Sequence, residues 1–352
     1  MITISAPDLQ DRVFEIFCAA GCPEEVSRQV AHSLVESNLV GHDSHGVIRV
    51  PAYVGAVRTG NLNPRGEIRV VKESASTALL DCGFNFGQVA ATQGMEMAIA
   101  KARRCDIAMV ALQRCGHTGR LGEYVVTAAE QGLVGMMVCN GPKPGGLVAP
   151  FGGVGRALGA NPIAWAVPGG VIEGSSAAAN GRPVFLDYAT SACAQGKIQV
   201  AADKGEEIPD GWLLNKDGQP TRNPHDQFEG GVMLPFGAHK GYALGVLVEL
   251  LAGGLSGMGA ALQPGYRPNQ GTVLVAMNIE AFQPLDEFCT MVADFARQVK
   301  ATRRAPDCEE ILLPGEPEWR CRAERGRTGI PLPDKTWRRI EDTAASLGLR
   351  WR

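Results

Sequence analysis

Two histidines, an aspartate, a serine and an arginine fall within the stretch GHDSHGVIRVP, Gly41 to Pro51. Histidine is the side chain whose ordinary pKa lets it exchange protons near neutrality, and the planar fork of arginine grips a carboxylate at two points. If the chain re-enters a helix after Asp43, His45 and Arg49 stand one turn apart on the same face. That pair suits a 2-oxo acid, with Arg49 on the carboxylate and His45 giving a proton to the carbonyl oxygen. Two other readings stand beside it. The HxxH spacing of His42 and His45 is one that can close on a metal ion, although no third ligand follows nearby. An exposed loop with surface histidines is the other.

A second polar cluster, GHTGRLG from Gly116 to Gly122, joins an apolar strand to a helix. Backbone N–H groups, Arg120 and a helix N-terminus would converge there, an arrangement that suits phosphate; the alternative is a plain glycine turn. The glycine fingerprint of dinucleotide-binding βαβ units, GxGxxG after a first strand, is absent. The nearest mimic, GGVGRALGANP, has the wrong glycine spacing and meets Pro162 too early for a helix. Asp187 lies in the apolar run VFLDYATSA, where an unpaired carboxylate is costly, so it needs a partner such as His45, directly or through Ser44. Thr190 and Ser191 beside it can cap a helix or bind phosphate. His239 and Lys240 open the most apolar helical segment, where a lysine is unfavourable unless an anion is near.

The elements that must position these groups follow from periodicity. A helix is predicted from Pro23 to Leu39, with Glu24 and Glu25 in its first turn and Gly41 as terminator. The opening MITISAPDLQDRVFEIFCAAG reads as an amphipathic helix. VKESASTALLDC reads as a strand, FGQVAATQGMEMAIAKARRC as a helix whose small residues permit close packing, and DIAMVALQR and LVGMMVCN as strands around a helix through VVTAAEQ. RPVFLDYATSACAQGKI is a buried strand running into a helix start, PDGWLLNKDGQPTRNP a loop, HKGYALGVLVELLAGGLSG one long helix, GTVLVAMNI a strand and FCTMVADFARQVKATR a helix. The tail from Ile311 is a loop followed by a last helix. Strands and helices alternate, so the class is α/β.

The chain has 352 residues with 45% hydrophobic and 20% charged, the balance of a folded chain able to bury one large or two ordinary cores. A net charge of −3 gives no basic field for nucleic acid. The N-terminus is acidic where a secretion signal would be basic, and no apolar run is long enough to span a membrane. Ten cysteines without a CxxC pair read as buried, reduced thiols, so the expected compartment is the cytoplasm.

The motifs HDSHGVIRVPAYV, FGQVAA, GHTGRLGEY, FLDYATSACAQGK, HKGYALGVLVELLAGGLSG and ILLPGE resemble, in order and spacing, the type 2 malate/L-lactate dehydrogenase family over nearly the whole chain, and within it the hydroxycarboxylate dehydrogenases. The resemblance implies a non-Rossmann nicotinamide-binding fold, a mixed sheet flanked by helices with a helical region built from both termini. Residues 1–75 and 300–352 would form that region and 76–299 the cofactor-binding and dimerisation region of a homodimer. It implies an NAD- or NADP-dependent enzyme interconverting 2-hydroxy and 2-oxo carboxylates, with NAD favoured. His45 would be the proton donor near the nicotinamide, Ser44 and Asp187 its relay, and Arg49 the carboxylate anchor. Gly119, Arg120 and Leu121, the run Phe185, Leu186, Asp187, Tyr188 and Ala189, His239 with Lys240, and Gly315, Glu316, Pro317 and Glu318 match the cofactor-contacting segments, His45 among them. In the ureidoglycolate dehydrogenases of the family the base is the histidine of the glycine loop, here His117, so two histidines compete for the role. A ureidoglycolate or sugar-acid substrate is the alternative within the family. A metal-assisted hydrolase and a binding protein without turnover are the alternatives outside it. GPKPGG after Asn140 departs from the family pattern, and the cyclic-imine reductases of the family differ at GHTGRLGEY.

Overall fold

The computed structural model describes residues 1–141, 145–171, 180–264 and 270–351. The middle of the GPKPGG segment, 142–144, lies outside the described residues.

The chain opens with a short strand β1 (Ile2–Ile4) before helix α1 (Ala6–Ala19), so the predicted helix starts only where Ser5 caps it by accepting the Asp8 N–H. Leu9, Val13, Ile16 and Phe17 recur at helical spacing and are buried. Helix α2 (Glu24–Leu39) ends as predicted. Gly41 adopts φ +86°, its N–H bonds the Asn38 carbonyl, and the His42 N–H bonds that of Ser37. This left-handed glycine cap turns the chain into the polar loop. Helix α3 (Val50–Arg58) follows it.

VKESASTALLDC is two strands, β2 (Arg69–Glu73) and β3 (Thr77–Asp81), because Ser74 closes a turn by bonding Thr77 through its backbone and its hydroxyl. Then come α4 (Gly87–Cys105), β4 (Ile107–Cys115), α5 (Gly122–Glu130), β5 (Leu133–Cys139), β6 (Ile163–Val167), β7 (Val184–Tyr188) and α6 (Gln195–Lys204). The segment predicted as a loop pairs β8 (Leu213–Leu214) with β9 (Pro220–Thr221) and with β10 (Val232–Met233). Helix α7 (His239–Val248) does not run on as an α-helix. It widens into a π-helical turn over Glu249–Gly254, where the buried Glu249 carboxylate accepts from Asn140, Asn161 and the Ala261 N–H. Strand β11 (Gln270–Asn278) and α8 (Leu285–Ala301) complete the middle of the chain. The tail holds two helices, α9 (Glu316–Thr328) and α10 (Asp334–Ser346), separated by β12 (Ile330–Leu332). The break falls at Gly329, whose φ of +91° and close approach to Ile4 and Thr3 admit no side chain.

The α/β expectation holds in the form of a mixed seven-stranded sheet of order β2-β3-β4-β11-β5-β6-β7. Only β3 and β4 pair parallel, across the α4 crossover; the remaining pairs are antiparallel. Along β11, Val273 and Val275 face one apolar core with Val248 and Ala252, while Leu274 and Ala276 face the other, under α4 and α5. Covering on both faces is why the strand reads as an unbroken apolar run. Gly94 lets α4 lie close, since a Cβ there would sit 3.1 Å from Leu112 and Leu274. A further core joins α1, α2, α3 and α10, with β1 pairing β12, so both ends of the chain meet around Leu34, Val50, Trp337 and Ile340.

All ten cysteines are free thiols, five of them buried and five partly exposed, among them Cys308 and Cys321. Among the described residues no helix is long and apolar enough to cross a membrane.

Candidate active site

The loop from Gly41 to Pro51 does not re-enter a regular helix at once, which corrects the one-turn argument for His45 and Arg49. It makes two 3₁₀ turns, Asp43–His45 and Val47–Arg49, broken at Gly46 with ψ of −153°. The break is imposed by Asn38: its Oδ1 accepts the Val47 N–H at 2.8 Å, and a Cβ on Gly46 would lie 2.1 Å from that oxygen. Asn38 Nδ2 also donates to Asp43, which Arg325 of α9 holds through both carboxylate oxygens. Sequence reading missed Asn38. Its only signal was a polar side chain, now seen to be 1% exposed, in the last turn of a helix that also buries Ser27, Ser33 and Ser37.

His45 and Arg49 nevertheless lie close together. Arg49 Nε donates to the Ser44 carbonyl at 2.7 Å, and its two terminal nitrogens make no hydrogen bond among the described residues. Ser44 Oγ lies 3.0 Å from His45 Nδ1. The rings of His45 and His117 stack with centroids 5.7 Å apart and planes 15° from parallel, so the two competing histidines belong to one site. Burial, then the neighbouring His117 and Arg49, push the His45 pKa well below the ordinary histidine value. Burial and Arg49 bring that of His117 down to about 3. Both imidazoles are therefore neutral at neutral pH.

His117 is fixed from below. Glycines 87 and 116 allow the first turn of α4 to press on the His117 backbone, where a Cβ on Gly87 would lie 2.4 Å away. The Thr118 N–H is held by Gln270 of β11 at 2.7 Å. Tyr53 of α3 bonds His117 Nδ1 at 2.6 Å. No pattern in the sequence distinguished Tyr53 or its neighbour Gln88, because a tyrosine on a buried helix face reads as core.

Asp187 has another partner than expected. Its Oδ2 accepts the Gly122 N–H at 2.7 Å, at the start of α5, and among the described residues no hydrogen bond joins it to Ser44 or His45. Of the contacts the expected relay needs, Ser44–His45 is present and none to Asp187 is found among the described residues. Burial lifts the Asp187 carboxyl above the usual carboxylate range, against the pull of the Arg120 charge, the Gly122 N–H and His42. Arg120 itself is 5% exposed and its Nε has no hydrogen-bond partner. Gly119 beside it takes φ +75°. Leu121 is buried in the core.

The remaining expected segments divide. Phe185 packs edge-on against Trp319 with centroids 5.4 Å apart and abuts Gly315, whose φ of +93° starts α9. Pro317 lies in the first turn of α9, and Glu318 bonds His42 at 3.2 Å, which brings this helix to the histidine loop. That contact gives His42 a carboxylate partner; among the described residues no cluster of three or more potential metal ligands forms. Glu316 differs: its buried carboxylate is spent on Lys300 and the Leu313 N–H, and its own N–H donates to the Leu313 carbonyl. Leu186 and Ala189 flank Asp187 and Tyr188, which packs on Phe236. His239 and Lys240 are exposed at the start of α7, where His239 meets Phe151, and no ring contact, ion pair or hydrogen bond joins them to the histidine pair among the described residues.

In class this is an α/β protein whose mixed sheet and terminal helices bring two histidines and an arginine together. The chain belongs to the malate/L-lactate dehydrogenase family, whose model matches residues 4–341. It is 37% identical to malate dehydrogenase of Pyrococcus abyssi, covering 99% of this chain and 96% of that protein. It is likewise 37% identical to hydroxycarboxylate dehydrogenase B of Escherichia coli K12, covering 98% and 94%. Among solved structures, sulfolactate dehydrogenase from Methanocaldococcus jannaschii superposes with a TM-score of 0.88 at 33% identity, covering 99% of this chain and 98% of that one. The resemblance read from the motifs is borne out.

Proposed function

We propose that this chain is a nicotinamide-dependent dehydrogenase interconverting 2-hydroxy and 2-oxo carboxylates, with NAD preferred and the cytoplasm as its compartment. The observation that carries the reading is the stacked pair of neutral imidazoles beside an arginine with both terminal nitrogens free. Arg49, aimed by its bond to the Ser44 carbonyl, grips the substrate carboxylate through its fork. His45, supported at Nδ1 by Ser44, exchanges a proton with the substrate oxygen. A carboxylate seated on Arg49 cancels one of the charges that hold both imidazoles neutral, so binding itself makes protonation easier.

The cofactor is tested by the residues around Arg120. A guanidinium 95% buried with an unpartnered Nε, beside a left-handed glycine, fits an anionic group, and Gly119 to Leu121 with the β7 segment and Gly315 to Glu318 would hold it in a non-Rossmann manner. When bound, the nicotinamide exchanges a hydride with the substrate carbon. On this reading residues 1–75 and 300–352 make up the unit that carries the histidine loop and 76–299 the cofactor and dimerisation unit, although β2 pairs with β3 in the large sheet. The exposed Leu247, Leu250, Leu255 and Leu262 on and after α7 support a homodimer. A panel of aliphatic, dicarboxylic, aromatic and sugar-derived 2-oxo acids assayed with NADH and NADPH tests the reading. Failure of every acid to oxidise either cofactor refutes it.

A further inference from the structure

Tyr53 and Gln88 have no part in the reading so far, yet they are the only polar side chains bonded in series behind a histidine of the site among the described residues. Tyr53 Oη lies 2.6 Å from His117 Nδ1 and 3.0 Å from Gln88 Nε2. An amide nitrogen only donates, so the phenol oxygen accepts from Gln88 and its one proton goes to His117 Nδ1. A neutral imidazole that accepts at Nδ1 carries its own proton on Nε2.

We propose that Gln88 and Tyr53 form a positioning device that locks His117 in the Nε2–H tautomer, making it a fixed hydrogen-bond donor beside His45 and leaving proton exchange to His45. The reverse amide orientation would turn the chain of bonds round. Gln88 Oε1 would take the phenol proton, Tyr53 would accept from Nδ1–H, and His117 would offer a bare Nε2, a base. Each orientation leaves one end of the buried amide without a partner. Here it is the carbonyl, Gln88 Oε1. A buried N–H group left unpaired is rarer in proteins than an under-satisfied carbonyl, which favours the orientation observed. The phenol also keeps its proton, since burial pushes the Tyr53 pKa up to about 12. Packing fixes the geometry: the Tyr53 ring stands edge-on to Phe86, one of the residues that lead into α4 and Gln88.

The tautomer does not depend on the dehydrogenase reading; only its kinetic consequence rests on it. The test is long-range 1H–15N correlation of the full chain labelled with 15N-histidine, with the His117 signals assigned by their loss in His117→Gln. At pH 7 the wild type is expected to show a protonated Nε2 and a bare Nδ1. Tyr53→Phe should give mixed tautomers and lower kcat by the lost Nε2–H fraction, about 2- to 5-fold, with cofactor affinity unchanged. In Gln88→Glu the carboxylate should accept the phenol O–H bond, turning Tyr53 into an acceptor for His117 Nδ1–H and reversing the tautomer. A wild-type spectrum with Nδ1–H overturns the proposal, as does one unchanged in both variants. If Tyr53→Phe does not fold, the wild type and Gln88→Glu decide. Absence of any dehydrogenase turnover would sink the functional reading while leaving the spectral result standing.

Discussion

Replacing Arg49 by lysine keeps the charge and removes the fork, and the structure sets the scale of the loss. Arg49 Nε is occupied by the Ser44 carbonyl at 2.7 Å, so a bound carboxylate meets the two terminal nitrogens. Lysine offers a single ammonium without the tether that aims it. One charge-assisted hydrogen bond is lost, worth about 1.5–3 kcal/mol. At about 1.4 kcal/mol per tenfold, kcat/KM for a 2-oxo acid should fall roughly 10- to 150-fold, chiefly through KM. Because the positive charge stays, the histidine pair remains neutral and the pH profile should keep its shape. Arg49→Met removes the charge as well and should move the acidic limb of the profile to higher pH, since Arg49 is among the causes that lower both histidines. Steady-state kinetics over the acid panel, with cofactor affinity followed by nicotinamide fluorescence, checks both variants. Unchanged KM for every acid in Arg49→Lys, or a loss of cofactor affinity as large as the rise in KM, would refute the anchor role.

Gly119→Val should weaken cofactor binding, since φ of +75° disfavours valine and a Cβ there would meet Gln88 Nε2 at 3.2 Å; a folded variant with unchanged cofactor affinity removes the loop from the site. His45→Ala should lower turnover by about 10²- to 10⁴-fold, and His117→Ala should leave more of it; single-turnover rates that rank the two the other way reverse the assignment. Because Asp187 answers Gly122 and Arg120 and not His45, Asp187→Asn should reduce cofactor affinity more than turnover, and a pure loss of kcat would contradict that placement. Stability should fall on acidification. His117 titrates at about 3 when folded, below its unfolded value of roughly 6.5, so stability present at pH 7 is lost by about 1.4 kcal/mol per unit as pH drops below the unfolded value. Melting curves between pH 7 and 5 should show the combined slope of His117 and His45, and His117→Gln should remove the His117 share of it.

The sequence made the site legible where chemistry is written in residue types: His45, Arg49, His117 and Arg120 are polar residues among glycines, and all gather in one place. It misled where local spacing stands in for geometry. His45 and Arg49 meet through two 3₁₀ turns, because Asn38 takes the Val47 N–H at the Gly46 break. The Asp187 partner was misassigned because a buried carboxylate can be answered by a helix N-terminus as well as by a histidine, and sequence does not tell which is near. Strand direction was equally hidden. With both faces of β11 covered, its apolar run is the same for parallel and antiparallel pairing, and the insertion of β11 between β4 and β5 depends on contacts far along the chain. Tyr53 and Gln88 were invisible since their hydrogen bonds, not their types, set them apart from core residues.

The position of β11 has a consequence for how the protein is made. Residues Cys139 and Gln270, joined across the sheet, are 131 positions apart, and β4 and β5 have no direct pairing with each other. On the ribosome both strands emerge with open, apolar edges facing an empty slot. At about 5–20 residues per second that slot stays open for roughly 7–26 seconds. Open edges of this kind are templates for a neighbouring nascent chain. Yield during expression should therefore respond to translation speed between β5 and β11 and to chaperone supply, even for variants whose finished structure is as stable as the parent.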